Sequence, residues 1–327
     1  DLNQNGRPDL VFANSGVNLI YYNQGAGVYG APDELGQADS RAVIALDFNG
    51  DKLVDLAFAN IDRANEVFLN DGQGGFVPAD LLGRAESESI GLAQLDANGD
   101  GRPDLIVANR ADDDYIYLNQ GADSTGRVFV DNALIVGDQQ STSAAVLVAD
   151  LDSDGVADDI VIGQHTSSQN PSIQIYQPSG SGQFTLRLEL SAGDVRSLSV
   201  GDYNGDGEAD LGVLNDDGLV QVFTQKQGTF ASALTFLAPG ANALVLSDID
   251  GNGRADLIVT GDASSSSRVY FSSEPVVAPP PNSNPTQAAP TVTVVKKTGS
   301  LGELLALFGL FLWSTRRYAA QRMDRPD

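Results

Sequence analysis

DANGDGRPDLIVANRADDDYIYLNQG, residues 96–121, decides the fold. It opens on a nine-residue loop, Asp96–Asp104, with Asp, Asn, Asp and Asp at its first, third, fifth and ninth positions and glycine at the sixth. An apolar run, LIVAN, follows at once, then YIYL, and then Asn119-Gln-Gly121. Short runs rich in β-branched and aromatic residues, bounded by Gly, Asn and Asp, are strand signals. No sustained helical period runs through residues 1–272,.

Working outward, the loop pattern D-x-[DN]-x-[DN]-G-x-x-D recurs through the chain, with one exception at its glycine. The copies are Asp1–Asp9, Asp47–Asp55, Asp96–Asp104, Asp150–Asp158, Asp202–Asp210 and Asp248–Asp256. Their first aspartates lie 46, 49, 54, 52 and 46 residues apart. An apolar run precedes the loops (AVIAL, IGLAQL, AAVLVA, ALVLS), and others follow each of them (LVFAN, LAFAN, IVIG, LGVL, LIVT). A third run ends in LIYYNQG, VFLNDG or IQIYQPSG, and a glycine turn leads to GVY, GGF, RVF, GQF or GTF. Four strands per repeat of about 40–50 residues is the period of a propeller blade. The expected fold is therefore an all-β propeller with six visible four-stranded blades.

The repeats resemble the FG-GAP family, also called VCBS-type repeats, which form the propeller of integrin α-subunits. The resemblance covers residues 1 to about 272 and rests on the loop, the D-[LI]-x-[VF] strand after it and the L-N-x-G…F ending. It implies a propeller of usually seven blades, with calcium in the hairpin between the first two strands of a blade. The chain opens inside a loop, so the first strand of blade one is expected to be missing, and the fourth strand of the last blade as well. Upstream sequence is expected to supply those strands and a seventh blade in the intact protein, a ring closed by six blades being the alternative.

Calcium suits these loops on chemical grounds. It takes six to eight oxygens at roughly 2.3–2.6 Å, and a tight loop gathers them from alternate side chains, with glycine allowing the left-handed turn. Up to six ions are expected. Their ligand sets are Asp1, Asn3, Asn5 and Asp9; Asp47, Asn49, Asp51 and Asp55; Asp96, Asn98, Asp100 and Asp104. The remaining sets are Asp150, Asp152, Asp154 and Asp158; Asp202, Asn204, Asp206 and Asp210; Asp248, Asp250, Asn252 and Asp256. Carboxylate count ranks the fourth loop tightest and the first weakest. Lys52 replaces the loop glycine in the second, which weakens that site if the position must be left-handed,.

The charge agrees. The chain has 44 acidic and 19 basic residues, a net charge of −25. From Lys296 onward lie six basic and three acidic residues, so residues 1–295 carry 13 basic against 41 acidic, or −28. That field repels nucleic acid and anionic lipid. There is no cysteine, which excludes disulfides and thiolate sites, and one histidine, His165, which has no second histidine or cysteine to complete a transition-metal site. Asp262-Ala-Ser-Ser-Ser266 spells the D-x-S-x-S of adhesion-domain metal sites without the α/β context those need, and reads as a hairpin loop. Asp112-Asp113-Asp114 reads as a solvated turn, and Tyr21, Tyr22, Tyr115 and Tyr117 as a possible sugar-binding surface, half of it packed between blades.

Residues 273–297 read as a proline-rich disordered linker,. Residues 298–327 carry the apolar run Leu304–Trp313 and then Arg316, Arg317 and Arg322, a short hydrophobic helix with a basic end. This resembles the GlyGly-CTERM sorting tail of Gram-negative bacteria, with Thr298-Gly299 in place of the leading glycine pair. The resemblance implies insertion in the inner membrane, cleavage near Gly299–Ser300 by a rhomboid-type protease, and display at the cell surface; a plain membrane anchor is the alternative. The expected function is a calcium-binding surface module for adhesion, matrix or carbohydrate, with an extracellular protein or glycan as partner and no nucleic acid. The alternative is a lyase-like polysaccharide enzyme or the non-catalytic part of a larger secreted one. Only Lys52 and Lys226 offer lysine bases in residues 1–272.

Overall fold

The run Leu105-Ile106-Val107-Ala108 is completely sequestered from solvent. Strands apolar on both faces must be covered on both faces, and this run lies in the second strand of its sheet, between two hydrogen-bonded neighbours and the apolar seams to the blades on either side. The computed structural model describes residues 1–272, apart from 131–132, 138–141, 166–171, 181 and 262–264, together with the backbone of 294–295.

Blade one comprises β1 (Leu10–Phe12), β2 (Asn18–Tyr21), a small hairpin β3 (Asn23–Gly25) and β4 (Val28–Tyr29), and β5 (Asp33–Leu35). Blade two is β6 (Asp39–Leu46), β7 (Asp55–Ile61), β8 (Asn65–Asn70) and β9 (Phe76–Leu82). Blade three is β10 (Ser89–Leu95), β11 (Asp104–Asn109), β12 (Asp114–Tyr117) and β13 (Leu134–Val136). Blade four is β14 (Ser143–Ala149), β15 (Asp159–Gln164), β16 (Ile173–Gly180) and β17 (Gln183–Leu190). Blade five is β18 (Val195–Gly201), β19 (Asp210–Asn215), β20 (Leu219–Lys226) and β21 (Thr229–Leu237). Blade six is β22 (Ala241–Ser247), β23 (Asp256–Gly261), β24 (Arg268–Tyr270) and β25 (Val294–Val295).

Every sheet is an antiparallel meander in chain order; blade one has three strands, β1-β2-β5, and the others four. Among the described residues there is no helix. First strands of successive blades touch from β6 to β22 and so surround the axis. Each of these five starts with a β-bulge at the same place, as between Ser40 and Ala42 and between Ser89 and Gly91. A bulge adds twist, which fits strands crowded around an axis. The apolar core is divided into five clusters, one per seam between neighbouring blades. Leu56, Phe58 and Phe68 of blade two pack on Leu2 and Ile20 of blade one; Leu105 and Val107 of blade three pack on Phe48 and Ala57 of blade two.

Two expectations change. The last blade has a fourth strand, because Val294 and Val295 pair with Tyr270 and Val269. They come from the segment read as a linker; the β-branched run TVTVV suits the otherwise unpaired edge of β24,. Asp114 is no solvated turn. It is 1% exposed, its Oδ1 accepts the Asn109 amide and its Oδ2 accepts Ser143 Oγ of the next blade. The expected C-terminal helix, the processing position Gly299–Ser300 and Asp262–Ser264 lie outside the described residues.

Candidate metal centres

The loops of blades two to six join the first and second strands, the loop of blade one leads into β1, and all six repeat one hydrogen-bond scheme. The first-position carboxylate Oδ2 accepts the sixth-position amide: Gly6 on Asp1, Lys52 on Asp47, Gly101 on Asp96, Gly155 on Asp150, Gly207 on Asp202 and Gly253 on Asp248, at 2.8–2.9 Å. The third-position oxygen accepts the fifth-position amide, as in Asp100 N–H to Asn98 at 2.9 Å and Asp154 N–H to Asp152 at 3.2 Å. The fifth-position oxygen accepts the seventh-position amide, as in Arg102 N–H to Asp100 at 2.9 Å and Val156 N–H to Asp154 at 2.8 Å. These are Asx turns, in which the side chain bends its own backbone. They turn the side chains at positions one, three and five toward one another.

The sixth residue is left-handed in every loop, with φ of 81°, 83°, 92°, 88° and 84° at the five glycines and 72° at Lys52. The strain expected at Lys52 is therefore present. In loops two, three and five the third-position asparagine donates to the fifth-position aspartate, for example Asn98 Nδ2 to Asp100 Oδ2 at 3.1 Å. Arg102 also covers Asp100 Oδ2 at 2.6 Å. Two loops bring three carboxylate oxygens within 4.8 Å of one another: Asp150, Asp152 and Asp154, and Asp248, Asp250 and Asp256.

The ninth position plays a second part. Its aspartate opens the second strand, is fully buried in blades two, three, five and six, and accepts two backbone amides. Oδ2 takes the second loop residue, as Phe48 on Asp55 at 2.9 Å and Ala97 on Asp104 at 2.8 Å; Oδ1 takes the end of the third strand, as Asn70 on Asp55 and Asn119 on Asp104 at 2.8 and 2.7 Å. Burial, chiefly, pushes the Asp55 and Asp210 carboxyls up to about 6, against those same amides.

In blade four the ladder pairs Ala149 with Asp159, whereas Leu46 pairs with Asp55 and Leu95 with Asp104. The fourth loop is one residue longer than the pattern suggests. Asp159 occupies the strand-opening position, and Asp158 precedes it as an additional acid. Burial first, then the charges of Asp154, Asp159, Asp152 and Asp150, raise the Asp158 carboxyl to about 6. In DDIVIG only Asp159 is followed directly by the Leu or Ile that comes after the ninth-position aspartate in the other five repeats, so the signal was present in the sequence.

Sequence reasoning also missed the asparagines that end the third strands. Asn70 Nδ2 donates to Leu2 O at 2.7 Å, and Asn119 Nδ2 to Phe48 O at 2.8 Å. Each reaches the second residue of the preceding blade's loop, whose side chain is buried in the seam. Loop and seam thus share one residue. A cavity of about 760 Å³ runs beside the inner strands of blades two to four, lined by Ile44, Leu92, Val146 and Val148, with Asp47, Asp96 and Arg102 at its loop end.

The other candidates settle elsewhere. His165 Nδ1 lies 3.2 Å from Asp216 Oδ2, whose Oδ1 takes Arg196 Nε at 2.8 Å, on the face opposite the loops. Tyr117 is buried in the seam between blades two and three, and Tyr115 bonds Asp112 at 3.2 Å.

The fold has solved counterparts. BBS1N, in a crystal structure of its complex with ARL6DN soaked with mercury, aligns with a TM-score of 0.53 at 16% identity, over 82% of this chain and 74% of that one. The lead-soaked crystal aligns with a TM-score of 0.56 at 14% identity, over 82% and 77%. At that identity the likeness concerns the fold alone. No curated protein matches the chain. The FG-GAP-like repeat family matches residues 1–52, 47–104, 96–161 and 202–259, running from loop to loop. The chain is a β-propeller that belongs to the FG-GAP-like repeat family.

Proposed function

We propose that the protein is a calcium-loaded propeller displayed outside the cytoplasmic membrane, serving as an adhesion, matrix or carbohydrate-binding module. The observation that carries the calcium reading is the fourth loop. Oδ1 of Asp150 and Oδ1 of Asp159 are both buried there without a hydrogen-bond partner, beside Asp152 and Asp154. Buried polar atoms are normally paired, and the donor set, all hard oxygen, fits calcium. Millimolar extracellular calcium suits loops of modest affinity. Six ions would add +12 to the −28 of residues 1–295, and relief of that repulsion makes calcium a folding ligand. A membrane-inserted tail processed near Gly299–Ser300 by a rhomboid-type protease belongs to the same reading, as does an extracellular protein or glycan as ligand.

The test is thermal melting of the full chain in calcium and in chelator, for the wild type and for a variant with Asp150, Asp152 and Asp154 changed to alanine. A higher melting temperature in calcium, reduced in the variant, is expected. Identical melting in both solutions would overturn the calcium reading.

A further inference from the structure

In five blades the strand-opening aspartate gives both oxygens to backbone amides. The Oδ1 donors are Asn23 on Asp9, Asn70 on Asp55, Asn119 on Asp104, Gln225 on Asp210 and Ser272 on Asp256, at 2.7–2.8 Å. These donors occupy one register position, two residues past the partner of the first apolar residue of the second strand: Leu56 pairs with Phe68 and Leu105 with Tyr117. In blade four Ile160 pairs with Tyr176, so that position is Pro178. Proline has no N–H. Asp159, 0% exposed, keeps its bond from Leu151 N–H at 2.7 Å, and the Gln177 side chain and the Arg187 charge lie near enough to favour its charged form, but no hydrogen-bond donor reaches Oδ1.

The loop beside it is short of donors too. First-position Oδ1 accepts a loop amide in the other five loops, as Asp47 from Gly50 at 2.7 Å and Asp248 from Gly251 at 2.8 Å. Asp150 Oδ1 has none. Asp152 Oδ2 is held only at the rim, by Gln177 Nε2 at 2.9 Å, the side chain next to Pro178. The sixth loop shows that a strand-opening aspartate lies within reach of the ion position, since Asp256 offers an oxygen within 4.8 Å of those of Asp248 and Asp250. Two buried anionic oxygens without donors, among five acids from Asp150 to Asp159 that Arg187 alone does not balance, call for further positive charge rather than another dipole,.

We propose that blade four has exchanged a backbone latch for a metal latch: a hard divalent cation held by Asp150, Asp152, Asp154 and Asp159 closes the sheet where Pro178 cannot. Asp158 is not one of its ligands. This rests on the calcium reading above and deepens it. The fourth loop is then the tightest site because its strand-opening carboxylate keeps one oxygen free of backbone amides.

The experiment is calcium titration by calorimetry of the chelator-stripped full chain, with melting in chelator as a second readout. Pro178→Ala restores the missing N–H. It is expected to raise the melting temperature of the stripped protein and to weaken the tightest calcium site at least five-fold. Asp159→Asn is expected to weaken that site at least ten-fold, and Asp158→Asn less than three-fold. Should Asp159→Asn not fold, the contrast between Pro178→Ala and Asp158→Asn decides alone. A tightest site indifferent to Pro178→Ala, or one more sensitive to Asp158→Asn than to Asp159→Asn, would overturn the inference and leave the general calcium reading intact. A wild type that binds no calcium would remove both.

Discussion

Asn119→Ala is expected to loosen the seam between blades two and three. The side chain is wholly buried. Its Nδ2 donates to Phe48 O at 2.8 Å and Pro103 O at 3.0 Å, and its Oδ1 accepts Gly121 N–H at 2.8 Å. Alanine leaves two carbonyls and an amide without their partner. A buried polar group so orphaned costs about 1–3 kcal/mol. The Phe48 carbonyl lies sealed in the seam and should bear most of that, the others less, for a total of about 3 kcal/mol. A domain of this size shifts its midpoint by roughly 2 °C per kcal/mol, so the melting temperature should fall by about 6 °C. Asn23→Ala is the internal control. Asn23 follows β2, at the register position of Asn119, and bonds Pro8 O at 3.0 Å and Gly25 N–H at 2.9 Å, near solvent and within its own blade. Its loss should cost about 1 kcal/mol or less. Differential scanning calorimetry of both variants in calcium decides the matter. A drop for Asn119→Ala no larger than for Asn23→Ala would refute the claim that Asn70 and Asn119 tie the first two loops to the next blade.

Other outcomes follow from the same geometry. Lys52→Gly should stabilise the protein by up to about 1 kcal/mol, read by denaturant unfolding, because φ is 72° there,; the same change should tighten calcium binding at the second loop. In chelator, stability should fall as pH rises from about 4 through 6 and level off above. The Asp55 and Asp210 carboxyls, pushed up to about 6 mainly by burial, hold a proton in the folded chain that the unfolded chain has already lost,. Urea unfolding at pH 5 and pH 7.5 checks the sign, and greater stability at the higher pH would contradict it.

The sequence displays the blades because two local rules coincide at every repeat. Short apolar runs such as Leu105–Ala108, bounded by Asp and Asn, suit central strands, and an Asx-rich loop whose last acid falls eight residues after its first suits a tight hairpin,. What escaped the sequence depends on register or on distance along the chain. Counting nine residues from Asp150 ends on Asp158, but burying Ile160 and Ile162 sets the ladder so that Asp159 opens the strand. The tie between Asn119 and Phe48 joins residues 71 positions apart. Asp114 reads as solvated because two acids precede it, whereas its partners come from its own blade and the next. Val294–Val295 reads as linker because a proline-rich stretch leads into it, and only the free edge of β24 makes it a strand.

The central claim is tested most directly by counting the calcium bound to the full chain at equilibrium, by dialysis against millimolar calcium. The account predicts several ions per chain, up to six, with the first to bind lost in the variant carrying alanine at Asp150, Asp152 and Asp154. Less than one ion per chain at saturation would contradict it, leaving the loops as turns and the propeller without its metal.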